Sequence, residues 1–441
     1  MNIEDEIIKL FKRIDTTQDE RIDANEIAAV KSKDPIFASI LKEDMNIDEF
    51  IKACYKFDEK KRSPDDEYRY ARNLVLKSVW SQDIVDKNKF NVATLEGIPI
   101  PAHLNFNNTD GKYMLRFLSF DLKTFLNTPT KNLPEGWDPN LIFEQGKNPG
   151  CNVRAMHDLG YTGAGINVAI IDSPILTKHS EIKSSLVSYQ GYSEFNQAAA
   201  FHGQAVSGIL VGDETGIAKD AGLYYFAVNT QTTDKRLSAL EKILEHNATC
   251  NPHDKIQVVS LSWGINKGDD EYEEYRVLLK KLYDSGVFVA TADYNMLDSS
   301  LSGVSMPYGI LSKKNQAGNP DDFSNYYMSS ICCPGEPQDM LLVPCGDRTV
   351  ASAYGEGKYR HDSGFSTSWT VPALAGVYAC ALQCANENNV ELTPALFWQY
   401  ALKAGVEIKD DSGNLVGKAI NAEALCLHIE NLGKQKLNYC M

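Results

Sequence analysis

The stretch Ile166-Asn-Val-Ala-Ile-Ile-Asp172-Ser-Pro174 governs how the rest of the chain is read. After Asn167 it is an aliphatic run with no polar alternation, the pattern of a strand covered on both faces. Asp172 then leaves the sheet at the strand's carboxyl end, where open α/β sheets bind their ligands. Taken alone, an acid in that place is more often a turn or cap residue.

From about residue 150 onward, strands of this kind alternate with helical stretches. Strands are expected at Ile166 to Asp172, Leu223 to Val228, Val258 to Trp263, Val287 to Ala292 and Met340 to Val343. Helices are expected at Gln204 to Leu210, Arg236 to His246, Glu271 to Asp284, Ser368 to Asn386 and Pro394 to Ala404. The alternation predicts an α/β fold with a doubly wound, mainly parallel sheet.

Two further segments put reactive side chains beside these elements. In Phe201-His202-Gly203-Gln204-Ala205-Val-Ser-Gly208 the histidine precedes glycines, poor helix formers that mark close backbone approach. A lone histidine is otherwise more often a hydrogen-bonded structural residue. In Gly364-Phe-Ser366-Thr-Ser368-Trp369-Thr-Val-Pro372-Ala-Leu-Ala-Gly376 a loop enters an Ala/Gly-rich helix, with Pro372 expected near the first turn and Ser368 at the helix start. Exposed backbone donors and the positive end of the helix dipole favour negative charge there, as an acyl-transfer nucleophile requires. The ordinary alternative is a capping serine.

In the order Asp172, His202, Ser368, separated by 30 and 166 residues, the three segments resemble the subtilisin-like serine peptidases, or subtilases. Flanking stretches extend the resemblance over about residues 150 to 430. Gly216-Ile-Ala218 and Ala221-Gly-Leu-Tyr224 are similar to the segment that leads into the next subtilase strand. Val259-Ser-Leu-Ser262-Trp263-Gly264 is similar to the strand lining the substrate cleft, Gly286 to Asn295 to the strand and turn carrying the oxyanion asparagine, and Leu392-Thr-Pro394 to the start of a late helix. The resemblance implies a serine endopeptidase working through an acyl-enzyme, with Asp172, His202 and Ser368 as triad, Asn295 at the oxyanion, and Ser262, Trp263 and Gly264 along a peptide or protein substrate. No cofactor is required for such chemistry. Departures from the family pattern are Pro174, Gln204, Ala205, Ser366, the Asp293-Tyr294 turn and Trp369, whose bulk is expected to narrow the site. A second reading is a catalytically impaired subtilase fold that binds peptides along an edge strand, with calcium regulation as a further variant.

The 441 residues are 43% apolar and 23% charged, ordinary values for a folded globular chain. Asp and Glu outnumber Lys and Arg by 59 to 44, a net charge of −15 that opposes binding to nucleic acid and to anionic membranes. Apolar runs are too short to span a bilayer and the acidic, amphipathic start shows no secretory signal, so a cytoplasmic address is expected, with unconventional export left open. The 10 cysteines are accordingly expected to be mostly buried thiols.

Three domains are expected: a helical pair over 1–56, a linker and region of unknown role over 57–145 that is a candidate prosegment, and the catalytic domain over 146–441. Within the first, Asp15-Thr-Thr17-Gln-Asp19-Glu20-Arg21-Ile-Asp23-Ala-Asn-Glu26 resembles an EF-hand loop. Asp15, Thr17, Asp19, the carbonyl of Arg21, Asp23 and Glu26 would be the Ca2+ ligands. Glu20 stands where the loop calls for a positive-φ glycine, so both a calcium site and a purely structural all-α pair are compatible with the pattern. A partner loop ending at Glu49 offers Ala38, Ile40 and Lys42 at its early positions and cannot hold calcium. In the region after the linker, Tyr113 to Leu118 is expected to form a strand.

Overall fold

Apolar strands must be covered on both faces, and the helices that follow them in sequence do this covering. A computed structural model of the chain describes residues 118–440 except 192–198, 229–232, 266, 294–307, 332–334 and 364–365. Before residue 118 it describes 11–12, 14–16, 21–31, 41–46, 49–50, 96–97, 99–100, 102, 105–107, 112 and 115–116. The chain divides into two units, 1–71 and 72–441.

In the smaller unit the strand β1 (Arg21–Ile22) precedes helix α1 (Ala24–Lys31) and pairs antiparallel with β2 (Met45–Asn46), Ile22 opposite Met45. Phe11, Ile14, Ile22, Leu41, Met45 and Phe50 form its core. The strand pair is a short β-contact where helices alone were expected.

In the larger unit α2 (Pro139–Gln145) and α3 (Val153–Asp158) precede a five-stranded sheet of β3 (Asn167–Asp172), β4 (Leu186–Gly191), β5 (Gly222–Ala227), β6 (Ile256–Leu261) and β7 (Phe288–Thr291). All neighbours are parallel, in the order β4-β5-β3-β6-β7. Helices α4 (Phe201–Val211), α5 (Thr233–Thr249) and α6 (Tyr272–Asp284) are the crossovers. The chain lays β4 and β5 on one side of β3 and then β6 and β7 on the other. A crevice therefore opens at the carboxyl end of β3, the switch point of the sheet.

A second sheet joins β8 (Tyr308–Lys313), β9 (Tyr326–Ile331), β10 (Leu341–Pro344), β13 (Val406–Lys409) and β14 (Leu415–Ala419) in the order β13-β14-β10-β8-β9, parallel in its middle and antiparallel at both edges. Between them in sequence, β11 (Arg348–Ala351) and β12 (Tyr359–Asp362) form an antiparallel ribbon. Helix α7 (Thr367–Glu387) runs through the main core with α8 (Pro394–Ala404) and α9 (Ala422–Cys440) beside it. Its Ala, Gly and Cys residues are buried on nearly every side, as a helix enclosed by other elements requires. A Cβ on Gly376 would lie 2.8 Å from Cβ of Ile217, so glycine sets that approach.

Residues before α2 are built into this larger unit. Leu115 and Arg116 are helical, not the strand expected over Tyr113 to Leu118. The β-contact comes just later, where Phe120 and His361 exchange backbone hydrogen bonds of 2.9 and 2.7 Å. Ile100, Phe106, Leu115, Leu118, Phe120, Phe125, Leu133, Ile142 and Phe143 cluster there as a separate core. Five of the described free cysteines, Cys151, Cys345, Cys380, Cys384 and Cys426, are buried, as expected, and Cys250 is half-buried. No described helix is long and apolar enough to cross a membrane.

Candidate active site

At the switch point Asp172 ends β3 fully buried, with its carboxylate turned to the following helix. His202 Nδ1 lies 2.9 Å from Asp172 Oδ1 and 3.0 Å from Oδ2. Ser173 completes the cradle: its N–H and hydroxyl donate to Oδ1 at 2.7 and 2.9 Å, and its Oγ accepts from Gly203 N at 3.0 Å. The glycine after the histidine has a steric cause, because a Cβ there would collide with the Ser173 carbonyl and the Tyr225 hydroxyl. Sequence reasoning passed over Ser173, although a serine directly after a strand-ending acid is a local hydrogen-bonding signal.

About 38% of the His202 side chain reaches solvent while Asp172 is 1% exposed, so the ring can meet a ligand and the carboxylate is confined to the ring and Ser173. Burial pulls the imidazole's pKa down, but the hydrogen bond and charge of Asp172, with a further contribution from Asp362, outweigh it and raise it above the ordinary histidine value.

Ser368 enters from the opposite side, as the second residue of α7. The capping serine of that helix is Ser366, whose Oγ accepts from Ser368 N at 3.1 Å. Ser368's own hydroxyl is thereby spared from capping. Pro372 lies in the second turn rather than the first, and its missing N–H leaves the Ser368 carbonyl without its helical donor. Ser262 Oγ takes that place, donating to Ser368 O at 2.8 Å. A Ser368 Oγ to His202 hydrogen bond is not among the contacts of the described residues. What links the two residues is Trp369, whose indole is stacked on the His202 ring at 5.5 Å between centroids and 30° between planes. Trp369 is 4% exposed, so it fills the body of the protein and does not narrow the cleft by its bulk.

The segment 262–264 runs beyond the end of β6. That strand is paired with β3 and β7 on its two sides, and its pairings stop at Leu261, before the segment expected to bind peptides. The Trp263 side chain turns inward, its Nε1 donating to Ile171 O at 2.7 Å, so only backbone at this residue can face a ligand. Gly264 packs on Asp293, which is buried and donates its N–H to Thr291 Oγ1 at 3.0 Å. Asn295 lies outside the described residues.

In the smaller unit Asp23 Oδ1 accepts from the N–H groups of Asn25 and Glu26 at 2.7 and 2.8 Å, while Glu26 Oε2 accepts from Asp23 N at 3.0 Å. This is a reciprocal cap at the start of α1. Asp15 and Glu26 are buried and Arg21 is in β1; Thr17 and Asp19 lie outside the described residues. Among the described residues no group of three or more His, Cys, Asp or Glu side chains could hold a metal.

The model of the subtilase family matches residues 163–407, more than half of the chain. The chain is 28% identical over 140 residues to the minor extracellular protease Vpr of Bacillus subtilis (strain 168), a match covering 25% of this chain and 17% of Vpr. It is 29% identical over 235 residues to subtilisin DY of Bacillus licheniformis, covering 51% of this chain and 78% of that protein. A chain from the structural study of subtilase cytotoxin SubAB assembly superposes with a TM-score of 0.51 over 68% of this chain and 99% of its own length, at 13% identity, a likeness of fold.

Proposed function

The chain belongs to the subtilase family, and from that premise we propose that it is a serine endopeptidase using Asp172, His202 and Ser368. The observation that carries the reading is the buried Asp172 carboxylate 2.9 Å from the Nδ1 of a half-exposed imidazole at the switch point of the sheet. Asp172 accepts Nδ1–H and so leaves Nε2 unprotonated, ready to take the proton of Ser368 Oγ as the oxygen attacks a peptide carbonyl. The C–O bond that forms turns the carbonyl oxygen into an oxyanion. Ser368 N–H, on leaving Ser366 Oγ, and Asn295 are its proposed donors. His202 gives its proton to the leaving amine as the C–N bond breaks, then repeats the cycle with water to release the acyl group.

A peptide-library digest tests this. Cleavage is expected from the wild-type chain, and Ser368→Ala should lose at least about a thousandfold of it without unfolding. The alternative, a peptide-binding subtilase fold of impaired catalysis, is favoured by one observation: Ser368 N–H is held by Ser366 Oγ at 3.1 Å. Peptide binding without cleavage by the folded wild type would select it.

We read residues 118–146 as part of the mature body and not as a removable prosegment, because they hydrogen-bond to the β11–β12 ribbon at Thr349, His361, Asp362 and Ser363. Retention of Met1 in an active chain, by intact mass, agrees with this; activity only after loss of the segment opposes it. We read the N-terminal module as EF-hand-like. Asp15, Asp23 and Glu26 supply the hard oxygen donors that calcium prefers. Calorimetry of the full chain with calcium is expected to give heat that Asp15→Asn removes, whereas no heat leaves a structural module.

A further inference from the structure

The indole next to the nucleophile has no role in the chemistry described so far, yet it is held from several sides. Trp369 Nε1 donates to Asp362 Oδ2 at 2.7 Å. Asp362 Oδ1 in turn accepts from Ser119 Oγ at 2.7 Å and from the Arg360 guanidinium at 3.3 Å. Phe201 meets the indole edge-on at 5.9 Å, and Arg360 lies over the other aromatic, 3.0 Å from the Phe201 ring centroid. Trp369 and Asp362 are both buried. An indole locked in this way offers one face to the His202 ring.

We propose that Trp369, anchored by Asp362, is a positioning residue for His202: it holds the face of the imidazole, as Asp172 holds its edge, and stabilises the charged ring that proton transfer creates. The proposal rests on His202 acting as the general base. An indole face carries negative electrostatic potential and attracts a cation, so the stack is stronger with imidazolium than with neutral imidazole. Catalysis gains from contacts that strengthen as charge develops, and this one does. The Asp362 carboxylate accepts the indole N–H and so pushes electron density toward the stacked face. Asp362 itself does not touch the imidazole: its charge acts on the ring from a distance, and its positioning action passes through the tryptophan.

Other charged and titratable groups face this ring. Asp172 stands at Nδ1; Tyr225 and Arg236 feel the charge of Asp172; Arg360, over Phe201, opposes a cation nearby. Among the described residues the Asp362–Trp369 arm is the one stacked on the face of the imidazole, so substitutions of Trp369 can be separated from the Asp172 bond.

The test is an NMR titration of the histidines in the full chain, with the His202 signal assigned through His202→Gln, for wild type, Asp362→Asn, Trp369→Leu and Trp369→Phe. The His202 pKa is expected to fall in Asp362→Asn and Trp369→Leu, and to fall less in Trp369→Phe, which keeps an aromatic face. In the peptidase assay Trp369→Leu should lower kcat about fivefold, the size of one cation–π contact, with KM little changed. Should Trp369→Leu fail to fold, Trp369→Phe carries the test. An unchanged His202 pKa in the folded Trp369 variants overturns the proposal even if activity drops, because the tryptophan is then only structural. If the wild type neither cleaves peptides nor reacts with a fluorophosphonate while the titration shifts as stated, the peptidase reading fails and the stack stands.

Discussion

Two buried carboxylates stand at the ends of two very different strands, and each accepts a hydrogen bond from a ring nitrogen. Asp172 closes the aliphatic β3 and holds His202 at 2.9 Å; Asp362 closes β12 and holds Trp369 at 2.7 Å. The two rings stack on each other. The strands differ in what surrounds them: β3 is the middle of a parallel sheet, whereas β12 is one arm of a two-stranded ribbon to which residues 118–146 hydrogen-bond. A titratable ring is thus placed by the central sheet, and a non-titratable one by the ribbon. The comparison teaches that proton chemistry and the support of its scaffold are carried on separate parts of this chain.

The comparison breaks most sharply at Asp172. Asp172→Asn should lower kcat by about 10⁴-fold, because the imidazole would take the wrong tautomer. An effect near that of Trp369→Leu would mean the two carboxylates are equivalent. The pH profile sharpens the same point. His202 must be neutral to act as base and its pKa is raised, so kcat/KM should fall as pH drops through a value above the ordinary histidine one. Rates that stay level down to pH 5 would remove His202 from the mechanism.

On the ribbon side the larger effects are on stability. Phe120 is fully buried and packs on Phe125, Trp137 and His361, with ring centroids 5.0–5.8 Å away. Phe120→Ala should cost about 3–5 kcal/mol in a denaturant titration, and a cost below ~1 kcal/mol would detach the 118–146 segment from the ribbon. His361 beside it is buried, and that burial, with the nearby charge of Lys313, lowers its pKa to about 3. The folded state keeps this ring neutral where the unfolded chain would protonate it. Its contribution to stability is therefore complete above ~6.5 and is lost as pH falls from there toward the folded value. His361→Asn should flatten melting temperature against pH in that window. The smallest effect is at the helix start: Ser366→Gly should cost only a few tenths of a kcal/mol as a cap while freeing Ser368 N–H, so hydrolysis should rise. A fall in rate would assign Ser366 a supporting role at the oxyanion.

This division also decides what was legible in the amino-acid sequence. The strands of the first sheet, with the exception of β4, and the helices α4 to α8 follow from aliphatic runs and helical spacing, and Asp172 and His202 meet as their motifs imply. β4 escaped because half-exposed Leu186-Val-Ser-Tyr-Gln-Gly191 at a sheet edge carries little apolar signal. The ribbon escaped for the opposite reason: Arg348, Arg360, His361 and Asp362 are polar yet buried, and the contacts of Asp362 with Ser119 and of His361 with Phe120 span more than 240 residues, pairings that periodicity cannot see. For the same reason Trp369 was read as an obstacle in the cleft. Its anchor, Asp362, takes one of its partners, Ser119, from 243 residues away.

The claim on which both halves depend is that His202 activates Ser368. It is tested most directly by reacting the folded chain with a fluorophosphonate and locating the adduct by mass spectrometry. A single adduct on Ser368, absent in Ser368→Ala and formed far more slowly in His202→Ala, is the expected result; a folded wild type that stays unlabelled, or a His202→Ala chain labelled at the wild-type rate, contradicts it.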